Sequence, residues 1–231
     1  MLPKIETPIH EFTIPSTGEV KRFRPFLVKE EKILMLASEG GEYGDMISAC
    51  EQVVSNCSQE ELDVANLSIF DLQHLFIRLK EKSTGTTQEF QLICGGCEQK
   101  INYTLKLEDV QVTGLEEAGS NIVKIGDEVA IELKYPTARI IAGVTDGDDT
   151  SVVASCISKV FDGEETIDIK DEKPEDVVEF IDNLPLNTFQ EVQEFFNKMP
   201  RVEHVVEYKC HNEECGFSNR ISINGYEHFF G

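Results

Sequence analysis

The fold of this chain is decided by two short stretches, Cys94-Gly95-Gly96-Cys97 and Cys210-His211-Asn212-Glu213-Glu214-Cys215. Each stretch closes a tight loop between two cysteines, and two such loops brought together present four thiolates. Zn²⁺ fills a four-thiolate tetrahedron without an open coordination position, so we expect a structural zinc ion on Cys94, Cys97, Cys210 and Cys215. Two alternatives stay open. An iron–sulfur cluster also takes four cysteines, and His211 lies inside the second loop, where it can compete as a ligand.

Strand-like sequence flanks both loops. Segments 89–93 and 100–107 enclose the first loop, and segments 202–208 and 217–223 enclose the second. Two hairpins joined by a metal at their tips form a zinc ribbon, so the intervening stretch becomes an insertion closed off by the ion. The fold class is therefore α+β. We predict an N-terminal hairpin and helical region (1–87), the first half of the ribbon (88–109), an inserted α+β subdomain (110–201), and the second half of the ribbon with a C-terminal aromatic tail (202–231).

Periodicity places the remaining elements. A hairpin is predicted within residues 10–26, around the turn Ser16-Thr17-Gly18. Apolar residues at helical spacing predict three N-terminal helices, at 28–38, at 43–56 and from about residue 68 or 71. Within the insertion, the same rules predict strands at 121–125, 129–133 and 165–169, and helices at 137–143, 150–161, 174–183 and 186–198.

Charge limits the classes of partner. The chain has 231 residues and a formal net charge of −22. Such a charge repels phosphate backbones and suits a basic protein partner, so we expect no binding to nucleic acid. The sequence also shows no apolar run of membrane-spanning length and no signal-peptide pattern. We therefore expect a protein of the cytosol, where thiols stay reduced and paired cysteines more often bind metal than form disulfides.

The sequence contains no HExxH motif, no Gly-x-Ser-x-Gly motif and no P-loop. We therefore expect a protein that works by binding and is not an enzyme, although a site assembled from distant residues remains an alternative. Three cysteines lie outside the two loops. Cys50, Cys57 and Cys156 are interpreted as small buried hydrophobic residues, because no histidine lies near them in the sequence to activate a nucleophile.

Two segments are candidates for contacts with a partner. Lys21, Arg22 and Arg24 make the first hairpin one of the few basic regions, and the alternative is an ordinary solvated turn. At the C-terminus, Tyr226, Phe229 and Phe230 are large apolar side chains of the kind that anchor interfaces. The alternative for this tail is packing against its own chain.

Three runs resemble one family: Phe12-Thr13-Ile14-Pro15-Ser16-Thr17-Gly18, Arg24-Pro25-Phe26-Leu27-Val28-Lys29-Glu30-Glu31-Lys32-Ile33-Leu34, and Phe70-Asp71-Leu72-Gln73-His74-Leu75-Phe76. They are similar to the T4-type bacteriophage baseplate hub and hub-assembly proteins. The resemblance covers about residues 10–110 and returns in the second cysteine loop and the Phe-Phe ending.

The resemblance implies a contractile-tail phage protein that helps to build the central hub of the baseplate. It implies other hub or tail proteins as partners, and a location in the host cytoplasm during assembly, with the virion tail baseplate as a second location. Hub component and assembly chaperone are both roles that the family allows, and no catalytic residues are implied. The rival interpretation is a zinc-ribbon protein that binds nucleic acid or acts in transcription, which the acidic charge opposes.

Overall fold

The computed structural model describes residues 5–41, 43–117, 119–143 and 149–224. The chain divides into two compact units. The first combines the described residues up to Val64 with 70–113 and with those from Arg201 onward, and the second contains 65–69 and 114–200. The architecture is mixed α+β with a cluster of four cysteines, which confirms the predicted fold class. The division into four segments at 1–87, 88–109, 110–201 and 202–231 stays a prediction.

The N-terminal part of the first unit is a hairpin followed by helices. Strands β1 (His10–Thr13) and β2 (Val20–Phe23) pair antiparallel, and they precede α1 (Val28–Gly40), α2 (Tyr43–Cys57) and α3 (Ile69–Thr84). All of these elements were predicted within a few residues. Their buried side chains include Phe23, Ile47, Cys50, Val53, Val54, Leu72, Leu75, Phe76 and Leu79. The recurrence of these positions at helical spacing explains why the pattern was readable from the sequence.

Hydrogen bonds attach the hairpin to the helices. The Gln59 N–H, just after α2, donates to the Arg22 carbonyl at 2.8 Å. The Ser16 N–H in the hairpin turn donates to the buried carboxylate of Asp71, on α3, at 2.9 Å. These bonds attach strand β2 to the segment after α2, and the hairpin turn to α3.

A buried ion pair starts α1. The guanidinium of Arg24 contacts both carboxylate oxygens of Glu30, at 2.9 and 3.2 Å, and Glu30 is completely buried. The same carboxylate accepts the Leu27 N–H at 2.9 Å, which satisfies one of the donors left free at a helix N-terminus. Arg24 also donates to the carbonyls of Pro25 and Asn56. Since its guanidinium is used internally, Arg24 holds the hairpin, α1 and α2 together.

The second half of the first unit is built from two long hairpins. Strands β3 (Thr87–Ile93) and β4 (Lys100–Lys106) pair over their full length. Strands β10 (Arg201–Lys209) and β11 (Ser218–Asn224) also pair antiparallel, over residues 203–209 and 218–224. Both hairpins match the prediction, and each places one cysteine loop at its tip. A third strand that the sequence analysis did not identify, β5 (Gln111–Thr113), pairs with the start of β10, so the sheet order is β11-β10-β5.

The second unit is a four-stranded antiparallel meander with helices. Its sheet contains β6 (Ile122–Ile125), β7 (Val129–Leu133), β8 (Ile157–Asp162) and β9 (Glu165–Asp168), in that order. Its helices are α4 (Ala138–Ala142), α5 (Asp149–Ser155), α6 (Pro174–Asp182) and α7 (Leu186–Asn197). The core of this unit comprises Val123, Ile131, Leu133, Val153, Ala154, Ile157, Val160, Val177, Ile181, Val192 and Phe195.

The predicted helix over residues 150–161 is wrong in its second half. Helix α5 ends at Ser155, and β8 begins at Ile157. The Cys156 N–H closes the helix on the carbonyls of Val152 and Val153, while the Cys156 carbonyl accepts the Lys134 N–H next to β7. The chain therefore changes from helix to sheet at a single residue.

The cause of this error is an apolar spacing that fits a helix. Ile157 and Val160 are buried three positions apart, because the pairing of β7 with β8 shifts register between Glu132 and Leu133. The signal that identifies the strand lies after it. Asp162 pairs with Glu165 across the two-residue turn Gly163-Glu164, which is typical of a tight hairpin.

No helix in the described ranges is long and apolar enough to cross a membrane.

Removal of the Glu30 carboxylate is expected to destabilise the first unit strongly. The variant Glu30→Ala leaves the Arg24 charge buried without its partner and removes a helix cap, so we expect a loss of about 3–5 kcal/mol in the free energy of unfolding. Denaturant unfolding measures it. The matched control is Glu19→Ala, which removes the more exposed ion pair with Lys21 and costs less than about 1 kcal/mol.

The pH dependence of this difference gives a second measurement. Burial acts to raise the pKa of Glu30, but the hydrogen bonds from Arg24 and from the Leu27 N–H outweigh it and lower that pKa below its ordinary value of 4.5. A carboxylate with a lowered pKa stabilises the folded state above its unfolded pKa and loses that effect as the pH falls through its folded pKa. The stability gap between wild type and Glu30→Ala should therefore narrow below pH 4.5. A gap that is constant down to acid unfolding would contradict the ion pair.

Candidate metal centre

The two cysteine loops have the same backbone closure. In the first loop, the Cys94 N–H donates to the Gln99 carbonyl at 3.0 Å. In the second loop, the Cys210 N–H donates to the Phe217 carbonyl at 2.8 Å. In both cases the first cysteine bonds across the loop to a residue two positions beyond the second cysteine. Each hairpin therefore presents its pair of thiols from a closed turn.

A residue in the left-handed conformation follows the second cysteine of each loop. Glu98 has φ 59°, and Gly216 has φ 55°. The Glu98 N–H bonds to the Cys94 carbonyl at 2.9 Å, and the Gly216 N–H bonds to the Asn212 carbonyl at 3.0 Å. This reversal turns the chain back into the returning strand, and glycine adopts it without steric cost.

The sulfur atoms of the four cysteines form one cluster. The Sγ atoms of Cys94 and Cys215 are 3.9 Å apart, those of Cys97 and Cys210 are 3.6 Å apart, and all four lie within 4.8 Å of one another. A zinc ion with Zn–S bonds of about 2.3 Å requires sulfurs about 3.8 Å apart in a tetrahedron. A disulfide requires about 2.05 Å. The spacing fits four ligands on one metal ion and excludes a disulfide.

Asn219, which the sequence analysis did not identify, supports the cluster from strand β11. Its side-chain N–H donates to Cys94 Sγ at 3.4 Å, and its side-chain oxygen accepts the Gly95 N–H at 2.8 Å. The Gly96 N–H also donates to Cys94 Sγ, at 3.4 Å. Nothing in the sequence marks Asn219, because it is one polar residue among several in an alternating strand. Its buried position becomes visible only when the two hairpins are brought together.

The hydrogen bonds to Cys94 Sγ favour the thiolate form of this cysteine. The Asn219 amide and the Gly96 N–H lower the pKa of the Cys94 thiol to about 6. For Cys210, the Asn212 backbone N–H acts to lower the pKa, but burial and the neighbouring thiols outweigh it and raise the value to about 12. Four thiolates at this spacing repel one another, and a bound cation removes that conflict. The electrostatics therefore favour a metal-loaded cluster.

The cluster has the character of a structural site. Cys94 and Cys210 are buried, Cys215 is half-buried and Cys97 is exposed. Four protein ligands leave no coordination position open for a substrate. His211 is exposed and does not belong to the group of converging ligand atoms, so the alternative ligand set raised by the sequence is not the one that the fold assembles.

The other three cysteines are buried, as predicted. Burial raises the pKa of Cys57 to about 11 and that of Cys156 to about 12, and it raises the pKa of Cys50 as well. These thiols stay neutral at physiological pH and pack as small hydrophobic side chains.

Each basic residue of the first hairpin has an acidic partner in its own chain. Lys21 pairs with Glu19 at 3.1 Å, and Arg22 pairs with Glu60 at 2.5 Å. Arg24 has the internal role described above. A contact between this hairpin and a partner stays a prediction. The aromatic residues of the predicted tail contact, Tyr226, Phe229 and Phe230, lie outside the described residues.

Comparison with known proteins identifies the family. A family model described as "T4 bacteriophage base plate protein" matches residues 7–231, which include both cysteine loops. No curated protein and no solved structure matches the chain significantly. Because the match covers nearly the whole chain, the chain belongs to the family of T4 bacteriophage base plate proteins. It is thus a phage baseplate protein, as the resemblance indicated.

The close packing of the two loops leads to a prediction at Gly96. A Cβ atom on Gly96 would lie 2.8 Å from Cβ of Phe217 and 3.0 Å from Sγ of Cys215, whereas the nearest atom to a Cβ on Gly95 is 3.4 Å away. We expect Gly96→Ala to push the loops apart and lower metal affinity by about tenfold or more. Gly95→Ala is the matched control and should stay near wild type. Competition with a chromophoric chelator measures both, and equal affinities would contradict this packing.

Proposed function

We propose that this baseplate protein is a non-enzymatic factor in building the central hub of the baseplate, either as a hub component or as an assembly chaperone, and that it works by binding other hub or tail proteins. The observation that carries the proposal is the family match over residues 7–231. A baseplate protein functions among other baseplate proteins, and the narrower hub role follows the resemblance of the three N-terminal runs.

Helix α1 supports a role in binding. Its only buried residue is Glu30, although the helix carries several large apolar residues. Val28 is 74% exposed, Met35 57% and Leu36 70%. Met35 and Leu36 follow Val28 by about two helical turns, so the three side chains fall within an arc of about 100° on one side of the helix. Large apolar side chains grouped on a surface are typical of contacts with other proteins.

The metal is proposed to be zinc, held by Cys94, Cys97, Cys210 and Cys215. Its role is to staple the hairpins β3–β4 and β10–β11 at their tips. Zinc suits this role because it has no redox chemistry and accepts a closed tetrahedron of sulfurs. The binding free energy of such an ion adds directly to the stability of the fold.

We expect protein purified under reducing conditions, without a metal-binding tag, to contain one zinc per chain and to be colourless. Elemental analysis and visible absorption measure this. A coloured sample that contains iron and acid-labile sulfide would instead identify an iron–sulfur cluster at this site. Absence of any metal would overturn the staple.

Two alanine variants separate metal binding from core packing. Cys97 is exposed and Cys50 is fully buried, so Cys97→Ala removes a ligand and little packing, whereas Cys50→Ala removes packing and no ligand. Cys97→Ala should lose the metal together with the stability linked to it, about 4 kcal/mol at free zinc roughly 1,000-fold above Kd. Cys50→Ala should keep one metal ion per chain.

The hub role is tested by locating the protein during tail assembly. Mass spectrometry of purified baseplate intermediates should detect the chain together with hub proteins. Detection in intermediates alone identifies an assembly chaperone, and detection in mature particles as well identifies a hub component. Absence from both would overturn the proposal.

A chain ending at Asn224 tests the tail: undiminished co-purification of hub proteins would remove the contact proposed for Tyr226, Phe229 and Phe230.

A further inference from the structure

A cleft of about 300 Å³ opens in the second unit between the end of the sheet and helix α6. Its floor is apolar and includes Val160 on β8, Ile167 on β9, and Val177 and Phe180 on α6. Val160 and Val177 are buried in the core, whereas Ile167 and Phe180 are partly exposed at its margin. The cleft therefore gives access to the hydrophobic core of this unit, and its volume suits one large apolar side chain.

The rim of this cleft is negatively charged. Asp162, Glu172 and Asp176 line it, and all three are exposed. Within the described part of the chain, none of these three side chains has a hydrogen bond or an ion pair, and the lining contains no lysine or arginine. We call this feature the acidic cleft: the apolar floor of Val160, Ile167, Val177 and Phe180 with the three carboxylates at its rim.

Three lysines lie near the rim in the sequence, and within the described residues none of them forms an ion pair with it; Lys173, adjacent to Glu172, is exposed. Lys159 pairs with Glu132 at 3.6 Å, and Lys170 pairs with Asp168 at 2.8 Å. The three rim carboxylates therefore keep their negative charge beside an apolar opening. A ligand that fits has the opposite arrangement, with an apolar group at its centre and positive charges around it.

The edge of the sheet borders the same cleft. Strand β9 is the last strand of the order β6-β7-β8-β9, so in the described ranges only one of its two sides is paired. Ile167 contributes to the cleft from this edge strand. An extended segment of another protein can lie beside such an edge while one of its side chains enters the cleft.

We propose that the acidic cleft is a docking site for a segment of another baseplate protein, in which one bulky apolar side chain is flanked by lysine or arginine residues. The apolar side chain fills the space over Ile167 and Phe180, and the flanking cations pair with Asp162, Glu172 and Asp176. This inference rests on the proposed function, since it requires that the chain bind other baseplate proteins.

Charge argues for another protein over the two other possible occupants. A second copy of this chain carries the same net charge of −22 and is repelled. The chain's own aromatic tail contains Glu227 and no lysine or arginine from Gly225 to Gly231, so it does not supply the cations that the rim requires. The complementary occupant is a basic segment from a different protein.

The test begins with the full-length protein carrying a photo-crosslinking amino acid in place of Ile167, produced together with the other baseplate proteins of the same phage. Mass spectrometry identifies the crosslinked peptide. We expect a segment of one baseplate protein that has a bulky apolar residue flanked by lysine or arginine. A crosslink to a second copy, to the chain's own tail or to a segment without basic residues overturns the proposal.

Two charge variants then separate the cleft from the general charge of the surface. The first reverses the rim with Asp162→Lys, Glu172→Lys and Asp176→Lys. The matched control reverses three exposed acids of α6 outside the cleft, with Glu175→Lys, Glu179→Lys and Asp182→Lys. Both triple variants change the net charge by the same amount, and each modifies surface side chains. Retained metal content and an unchanged unfolding midpoint verify that both fold.

We expect the rim variant to bind the crosslinked baseplate protein at least about tenfold more weakly than wild type, and the control variant to bind it almost as tightly as wild type. If both variants weaken this binding equally, the effect comes from net charge, and the proposed docking site is wrong. Undiminished binding by the rim variant overturns the cleft and leaves the proposed function in place. If wild type itself retains no baseplate protein, the proposed function fails and the docking site fails with it.

Discussion

The convergence of four sulfurs within 4.8 Å is the constraint on which the first unit depends. Cys94 and Cys215 lie 121 residues apart in the sequence. Closing a loop of this length costs conformational entropy, which interactions between the two hairpins have to offset. Four thiolates this close repel one another, and the pKa is lowered for Cys94 but raised for Cys210. A bound cation would counter this repulsion and link the two hairpins at their tips.

Acidic residues, which outnumber the basic ones by 43 to 21, serve two physically different purposes. Glu30 is buried, and it is tolerated there because Arg24 and the Leu27 N–H supply its charge and hydrogen-bond partners. The carboxylates of the acidic cleft are exposed and have no such partners among the residues that the structure describes, so they remain accessible to other molecules. The first arrangement stabilises the chain by itself. The second is accessible to other molecules, and in the proposed docking it pairs with basic residues of another baseplate protein.

The sequence was sufficient to predict those elements that depend on local patterns of residues. The cysteine loops, their hairpins and the N-terminal helices follow from spacing and periodicity, and the ligand set follows from two loops of matching closure. What it missed depends on pairing between distant segments. Strand β5 is three residues long and exists through its bonds to β10, Asn219 matters because of where Cys94 comes to lie, and the register shift opposite β8 produced a spacing that imitates a helix. The cleft was not foreseen, since its floor comes from separate strands and a helix.

The short pairing of β5 with β10 also has a consequence for how this family can diversify. Thr113 and Arg201 are directly opposite each other, so the stretch 114–200 leaves the ribbon and returns to it at adjacent points. A module inserted between two neighbouring backbone positions can change in length or be exchanged by recombination without altering the register of the strands that carry it. Beyond this junction, an exchanged module has to accommodate the short stretch 65–69, which belongs to the same unit. The strand pairing at this junction thus fixes both attachment points of the stretch 114–200.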